Sequence, residues 1–313
     1  MSIRDLRIES VGGRPIVQGL DLEIPAGRRI GVVGESGSGK SMTAGAIVGL
    51  LPEGVGVVGG EIELDGRSVL DLTEHEMRSV RGRRVSIVYQ NALSSLNPVV
   101  NVGTQIADVA RAHLPIGKHE ARRRAVRLMS ELGIPDADRR ALDYPHQFSG
   151  GMAQRIAIAM ALVCEPDLVI ADEPTTGLDA TIQVQVLATI AREVGERGSA
   201  LLLISHDLAA IASMAEEVVV LYAGMVLEHG SAEQIMRDPV SPYTAGLVAS
   251  ADPEADRISF IPGRIPDPGE IPEDSCPFAA RCPLATELCR TERPALRVGS
   301  DGRRVACHNV EVP

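Results

Sequence analysis

A glycine-rich stretch near the N-terminus, GESGSGKS at residues 34–41, has the residue types and spacing of a phosphate-binding loop. It follows the apolar run RRIGVVG, which predicts a buried strand, and precedes MTAGAIVGLL, which predicts a helix. In that setting, backbone N–H groups and the positive end of the helix dipole converge on one point. Lys40 would reach the β- and γ-phosphates of a nucleotide, and Ser41 would ligate Mg²⁺. The predicted nucleotide-binding residues here are Gly34, Glu35, Ser36, Gly37, Ser38, Gly39, Lys40, Ser41 and Met42.

Lysine is almost absent from the rest of the chain. Of its 31 lysines and arginines, only Lys40 and Lys118 are lysine. A compact ammonium fits between phosphate groups where a planar guanidinium does not, so a lysine in this loop supports a phosphate ligand. The loop alone indicates a nucleoside triphosphatase and nothing narrower.

Two adjacent carboxylates follow a second predicted buried strand, in the stretch PDLVIADEP at residues 166–174. Asp172, at the strand end, would hold Mg²⁺ directly or through water. Glu173 is placed to polarise the attacking water as a general base. Acid pairs at strand ends are common, so this prediction depends on the phosphate-binding loop.

A second anion-binding feature lies between these two motifs. Ser149, Gly150 and Gly151 precede an apolar stretch that predicts a helix, and a Ser-Gly-Gly turn at a helix start presents N–H groups to an anion. One chain therefore carries two predicted phosphate-binding helix ends.

Six motifs, in order over roughly residues 1–250, resemble those of the ATPase subunits of ABC transporters. GESGSGKS is similar to the Walker A loop of that family, LVIADE to its Walker B strand and FSGGM to its signature motif. VYQNALSSLNP, TTGLDA and LLLISHD are similar to its Q-loop, D-loop and switch region. The resemblance assigns the Q-loop glutamine, the D-loop aspartate and the switch histidine to Gln90, Asp179 and His206.

The resemblance implies a mechanism in which two ATPase subunits face each other head to tail. ATP and Mg²⁺ would bind the Walker A loop and Asp172 of one subunit, and residues 149–151 of the other would cover the γ-phosphate. Gln90 would ligate Mg²⁺ and sense the membrane partner, whereas His206 would contact the γ-phosphate and hold the geometry around Glu173. ATP binding would close the dimer and hydrolysis would reopen it, which would drive a membrane permease.

Two positions depart from the family pattern. The signature motif often ends in glutamine, but Met152 stands there, and this residue is usual in peptide-importer members. The family also stacks an aromatic ring on adenine from its first β region, where this sequence has Val11. Nucleotide selectivity is therefore left open.

The stretches YPHQFSGGM, ADEPTTGLD and DPVSPYTAGLVAS most resemble the ATPases of oligopeptide and dipeptide importers, and nickel importers share much of this wording. The resemblance implies as partners two transmembrane permease subunits, a second ATPase subunit and an extracytoplasmic peptide-binding protein. An alternative is an ABC ATPase that acts on nucleic acid or ribosomes. A single ATPase unit and a net charge of −11 argue against it, so no nucleic-acid partner is expected.

The N-terminal stretch MSIRDLRIES has no apolar core of a signal peptide, and no run reaches the length of a membrane span. The expected location is peripheral, on the cytoplasmic face of the plasma membrane. Thiols stay reduced there, so disulfides are not expected.

Four of the five cysteines lie in the last 38 residues, at Cys276, Cys282, Cys289 and Cys307. Their spacing fits neither a zinc finger nor a ferredoxin, although four thiolates suit zinc or an iron–sulfur cluster. Unligated thiols in a small subdomain are the alternative. The segment resembles the C-terminal extension of peptide-importer ATPases, which implies a [4Fe–4S] cluster, with structural Zn²⁺ as the second choice. The fifth, Cys164, lies in an apolar run and is predicted to be a core residue.

These elements predict an α/β fold. A P-loop (RecA-like) core would carry an antiparallel β subdomain and an inserted α-helical subdomain at about residues 91–164. The nucleotide-binding domain would cover residues 1–250. Residues 251–313 would form a Pro-rich linker and a small Cys-rich C-terminal extension that binds a metal.

Overall fold

The computed structural model describes residues 1–90, 92–251, 261–266 and 270–312. Within them the chain forms two compact units, and the last of the four points at which the chain passes from one unit to the other lies within strand β8 (Ala200–Ser205). Unit 1 contains Met1–Ile24, Arg29–Asp71 and the described residues from Leu203 onward. Unit 2 contains Pro25–Arg28 and Leu72–Leu202.

Unit 1 contains an antiparallel sheet with strand order β2-β1-β4-β5. Ile3, Leu22 and Ile62 lie opposite one another across three of these strands and are fully buried. Alternate residues of a strand point to one face, so this apolar set packs that face of the sheet into a core. The strands are β1 (Ser2–Ser10), β2 (Arg14–Glu23), β4 (Val55–Leu64) and β5 (Arg67–Ser68).

The other strands of unit 1 follow the order β11-β12-β10-β9-β3. β3 pairs with β9 in parallel, with Val32 opposite Val219, and both strands are buried apolar runs, as expected for a sheet covered on both faces. The bounds are β3 (Arg29–Val33), β9 (Glu217–Tyr222), β10 (Met225–Ser231), β11 (Arg297–Val298) and β12 (Arg304–Val305). The helices are α1 (Lys40–Ile47), α9 (Leu208–Ala212), α10 (Ala232–Arg237), α11 (Pro242–Ala251) and α12 (Glu287–Thr291).

The C-terminal segment is part of unit 1. Its strand β12 pairs antiparallel with β10, so that Val305 lies opposite Glu228. Beside this pair, the Arg303 guanidinium lies 3.7 Å from the Glu228 carboxylate and 3.3 Å from that of Asp301. Arg303 and Glu228 are both buried, so the segment is anchored by ion pairing as well as by the strand.

Unit 2 combines two parallel strands with helices. Ile87 of β6 lies opposite Ile170 of β7. Helix α5 buries Ala121, Ala125 and Leu128 on one face, at the spacing that a helix needs to pack against a core. The bounds are β6 (Val85–Val88), β7 (Leu168–Asp172), α2 (Glu74–Val80), α3 (Ala92–Ser95), α4 (Val102–His113), α5 (Lys118–Glu131), α6 (Ala137–Arg140), α7 (Gly150–Leu162) and α8 (Ala180–Glu196).

Several predictions from the sequence are confirmed at the level of elements. A buried strand, a glycine-rich loop and a helix follow one another as β3, residues 34–39 and α1. Buried strands precede both Asp172 and His206. Asn91, the predicted start of the helical subdomain, lies outside the described residues, as do residues 252–260 and 267–269 of the predicted Pro-rich linker.

No helix in the described part of the chain is both long enough and apolar enough to span a membrane.

Candidate functional site

The glycine-rich loop of unit 1 lies against other backbone, which explains two of its glycines. A Cβ on Gly34 would lie 2.1 Å from the carbonyl oxygen of Leu221 in β9. Gly39 has a φ of 99°, and a Cβ there would lie 2.9 Å from the carbonyl oxygen of Ile16 in β2. Only glycine fits such approaches without moving a strand, so the path of the loop is set by the two sheets behind it.

The loop leads directly into α1, whose first residue is Lys40. Its N-cap, Gly39, has no side chain to cap the helix, so the first backbone N–H groups are not satisfied by an N-cap side chain. Lys40 is buried, and its Nζ donates to the carbonyl oxygens of Gly34 (2.7 Å) and Glu35 (3.0 Å). The loop thus curves around one ammonium, which concentrates positive charge where a phosphate would bind. Ser41 is exposed, and Met42 is half-buried.

Unit 2 brings three predicted site residues together. Asp172 is the buried last residue of β7, and Glu173 follows it with a φ of 47°, in the left-handed region. The Glu173 carboxylate oxygen Oε2 accepts hydrogen bonds from Thr176 Oγ1 (2.9 Å) and Gln90 Nε2 (3.2 Å). These two side chains hold the carboxylate in one orientation. The left-handed conformation of Glu173 costs a non-glycine residue about 1–3 kcal/mol, and such strain is concentrated at functional sites.

The predicted signature turn is the N-terminus of helix α7. Ser149 is its N-cap and accepts a hydrogen bond from the Met152 N–H at 3.4 Å. Gly151 lies so close to α8 that a Cβ would be 2.8 Å from Ile182 Cγ2. Asp179 is the N-cap of α8 and accepts from the Ile182 N–H at 3.0 Å. Ser149, Gly150 and Asp179 are exposed, so two neighbouring helix starts are open to solvent in unit 2.

His206 and Val11 belong to unit 1. His206 follows β8 directly and is exposed, and the next residue, Asp207, is the N-cap of α9. Val11 lies in the turn between β1 and β2 with 79% of its surface exposed.

The four C-terminal cysteines lie in one neighbourhood of unit 1. The Cys276 N–H donates to the carbonyl oxygen of Cys289 at 2.9 Å. Burial raises the pKa of Cys276 to about 11, and the charges of Cys289, Cys307 and Cys282 add to this rise. Burial would also raise the pKa of Cys289, but hydrogen bonds from Thr286 and Asn309 lower it.

Among the described residues, no group of three or more His, Cys, Asp and Glu side chains is placed to hold a metal ion. The described structure therefore gives no support to the predicted metal site, either as a [4Fe–4S] cluster or as Zn²⁺. Cys164 is fully buried in unit 2, and its prediction as a core residue is confirmed.

One group of residues was missed by the sequence reasoning. Tyr222, Tyr243 and Phe278 meet edge to face or tilted, with ring centroids 4.7–5.2 Å apart, and Arg281 lies beside them. The chain has only seven tyrosines and phenylalanines and no tryptophan, so three of its seven large rings are in this cluster. The residue type was the available signal, because aromatic side chains bury large areas and dominate the energetics of cores.

Comparison with known families identifies the class of protein to which this fold and its glycine-rich loop belong. The sequence pattern of the family described as "ABC transporter" matches residues 17–176, and the chain belongs to this family. The prediction of an ATPase coupled to transport is confirmed by this membership.

A second pattern, described as "Oligopeptide/dipeptide transporter, C-terminal region", matches residues 227–289. The oligopeptide transport ATP-binding protein OppD of Escherichia coli is 41% identical, over 98% of this chain and 92% of its own length. The oligopeptide transport ATP-binding protein AppD of Bacillus subtilis is 42% identical, over 94% of this chain and 90% of its own. The dipeptide transport ATP-binding protein DppD of Escherichia coli is 41% identical, over 93% and 90%.

Among solved structures, the fold matches the ATP-binding cassette MJ0796, in a dimeric post-hydrolysis state bound to ADP and Pi. The TM-score is 0.66 and the identity 24%, over 74% of this chain and 98% of the other. This likeness confirms the P-loop ATPase fold as a mixed α/β structure.

Proposed function

We propose that this chain is the ATP-hydrolysing subunit of an importer for oligopeptides or dipeptides. The observation that carries the proposal is the C-terminal match at residues 227–289, which adds a peptide-transporter segment to an ABC ATPase. The relatives named above, which align over nearly the whole chain, are oligopeptide or dipeptide transport proteins and support the same substrate class.

The proposal includes the partners that such an importer needs. Two transmembrane permease subunits, a second ATPase subunit and an extracytoplasmic peptide-binding protein would form the complex, with this chain on the cytoplasmic face of the membrane. A net charge of −11 suits a protein partner better than nucleic acid, whose phosphates require clustered basic residues.

Within this proposal each motif has a separate role. Lys40 and the loop N–H groups bind the phosphates of ATP, and Ser41, Gln90 and Asp172 supply the oxygen ligands that Mg²⁺ prefers. Glu173 is the general base and His206 contacts the γ-phosphate.

The open helix starts of unit 2, at residues 149–151 and Asp179, would face the nucleotide of a second subunit. Their exposure and the N–H groups of α7 support this role. ATP binding would then close a head-to-tail dimer, and hydrolysis would reopen it.

The domain assignment is part of the proposal. The antiparallel sheet of unit 1 and the helices between residues 92 and 164 would be the β and α-helical subdomains of a nucleotide-binding domain at residues 1–250. Residues 251–313 would be the C-terminal extension.

Transport in vesicles tests the substrate class. The complete complex, reconstituted with its permease partners and peptide-binding protein, should take up labelled dipeptide or oligopeptide when ATP is supplied on the side of this subunit. The same vesicles without ATP are the control. Nickel importers share many of the same sequence motifs, so nickel is the alternative substrate. Uptake of Ni²⁺ without uptake of peptide would contradict the proposal.

We also propose that the four C-terminal cysteines hold a [4Fe–4S] cluster rather than Zn²⁺. No group of three or more side chains is placed to hold a metal ion among the described residues, so the proposal depends on the resemblance of this segment to the C-terminal extension of peptide-importer ATPases. Burial raises the pKa of Cys276 and of Cys282, and the charges of Cys289 and Cys307 add to both rises, so the four thiols lie in one neighbourhood. A cluster bound by four thiolates would cross-link the loops that carry Cys276, Cys282, Cys289 and Cys307.

The cluster can be tested on protein purified without oxygen. The wild-type protein should be brown and contain iron and acid-labile sulfide, and Cys276→Ser should lose most of both because one of four thiolate ligands is gone. Cys164→Ser, which changes the cysteine buried in unit 2, should keep them. A colourless preparation that contains zinc, or no metal, would contradict this proposal.

A further inference from the structure

Glu35, the second residue of the Walker A loop, is held through its backbone and its carboxylate at the same time. Its N–H donates to the Tyr243 hydroxyl at 3.0 Å, and its C=O accepts from Lys40 Nζ at 3.0 Å. Its carboxylate accepts two hydrogen bonds from the Arg281 guanidinium, at 2.6 Å to Oε2 and 3.1 Å to Oε1. One residue therefore links the ammonium of the phosphate-binding loop to the Cys-rich C-terminal segment.

Arg281 is fixed at its other end as well. Its side chain is 4% exposed, and it donates to the carbonyl oxygens of Pro262 (2.8 Å) and Ile261 (3.2 Å). It also donates to the Tyr222 hydroxyl at 3.3 Å. A guanidinium is always charged in proteins, and here it is bonded to the Glu35 carboxylate and to the Tyr222 hydroxyl. A planar guanidinium held in this way can bind a carboxylate in only one geometry.

The negative charge of Glu35 explains why its ion pair with Arg281 matters for nucleotide binding. Glu35 is the acid in GESGSGKS, a loop that binds a polyphosphate. An unpaired carboxylate in that loop would repel the phosphates and attract the Lys40 ammonium that they need. Arg281 cancels this charge from the side of the C-terminal segment, where it directly precedes Cys282.

We propose that Arg281 is a positioning residue for nucleotide binding, which neutralises Glu35 so that the C-terminal segment sets the affinity of the Walker A loop for MgATP. This proposal rests on the role assigned above to the Walker A loop and is independent of the transported substrate. It makes the Cys-rich segment part of the nucleotide site.

Nucleotide binding by the purified full-length chain tests the proposal. Arg281→Gln should bind MgATP about tenfold more weakly, the effect of one hydrogen bond to a charged group. In the reconstituted complex the KM for ATP should rise while kcat at saturating ATP stays near that of the wild type, since Arg281 does not touch the reacting atoms. A wild-type chain that fails to bind MgATP would contradict the assigned role of the loop, which is a different outcome.

The double variant Arg281→Gln/Glu35→Gln separates charge from structure. Removing both charges leaves no unpaired carboxylate near the phosphates, so most of the lost affinity should return. A loss caused only by disturbed packing would remain in the double variant, and that result would overturn the proposal.

Arg303→Gln is the matched control. Arg303 lies in the same segment with the same 4% exposure, but its ionic partners are Glu228, Asp238 and Asp301, and none of these is in the loop. It should lower the thermal stability without raising the KM for ATP. Wild-type MgATP affinity in a folded Arg281→Gln would overturn the proposal, as would an equal rise of KM in both variants.

If Arg281→Gln does not fold, the single variant Glu35→Gln tests the proposal. It removes the acid and retains a side-chain oxygen for Arg281, so MgATP affinity should equal or exceed that of the wild type. A tenfold loss in this variant would show that the carboxylate itself supports binding, and would overturn the proposal.

Discussion

Replacement of Glu173 by glutamine should lower ATP turnover by roughly a hundredfold to ten-thousandfold, the range expected when a general base is removed. The amide has nearly the same shape and can still accept from Thr176 and Gln90, which hold the carboxylate at 2.9 and 3.2 Å. It cannot take a proton from water, so nucleotide should bind while hydrolysis becomes slow. The measurement is ATP hydrolysis by the reconstituted complex at saturating MgATP.

In the proposed cycle hydrolysis reopens the dimer, so Glu173→Gln should also accumulate the closed form with bound ATP, visible as a larger species in size-exclusion chromatography. Glu165→Gln is a matched control, because Glu165 is also an acid in the left-handed region of unit 2, with a φ of 51°. Glu165 is exposed and pairs with Arg124 at 2.8 Å, so its replacement should leave turnover unchanged. Near-normal turnover in Glu173→Gln would reject the assignment of the base.

Lys40→Ala should weaken MgATP binding by about ten- to hundredfold or more, the range for hydrogen bonds to a charged group. The ammonium of Lys40 is the charge around which the loop curves, with contacts to the carbonyl oxygens of Gly34 and Glu35. Its removal should take away the proposed phosphate contact as well as the loop's internal bonds. Titration calorimetry on the purified chain measures the affinity directly.

The chain's other lysine provides the control for Lys40→Ala. Lys118, the chain's other lysine, is the exposed first residue of α5 in unit 2, and Lys118→Ala should bind MgATP like the wild type. Unchanged affinity in Lys40→Ala would contradict the assignment of the phosphate-binding loop. Both variants should be checked for folding by circular dichroism, since Lys40 is buried.

Much of the fold could be predicted from local patterns. The strand, loop and helix around residues 34–41 follow from an apolar run, glycines and a helix-forming stretch that are adjacent in the chain. The strand before Asp172 and the strand before His206 were predictable for the same reason. These features depend on backbone geometry and burial over a few residues, which the sequence states directly.

The contacts that hold the candidate catalytic residue Glu173 were not predictable in this way. Glu173 was identified from its neighbour Asp172 and from the family motif, but its left-handed backbone and its contact with Gln90, 83 positions away, required the structure. The same holds for Gly34, whose need for glycine comes from the backbone of Leu221 in β9. No periodicity in a sequence reports which distant strand lies behind a loop.

By itself the sequence determined the motifs, the family and the concentration of cysteine at the C-terminus, because each depends on residue types at short spacing. Only the tertiary structure decided that the Cys-rich segment belongs to the same compact unit as the Walker A loop and that Arg281 pairs with Glu35. These two residues are 246 positions apart, and they form an ion pair only because the fold brings the C-terminal segment next to the Walker A loop. Strand β12 and the aromatic cluster bring it back there, through burial that no local pattern encodes.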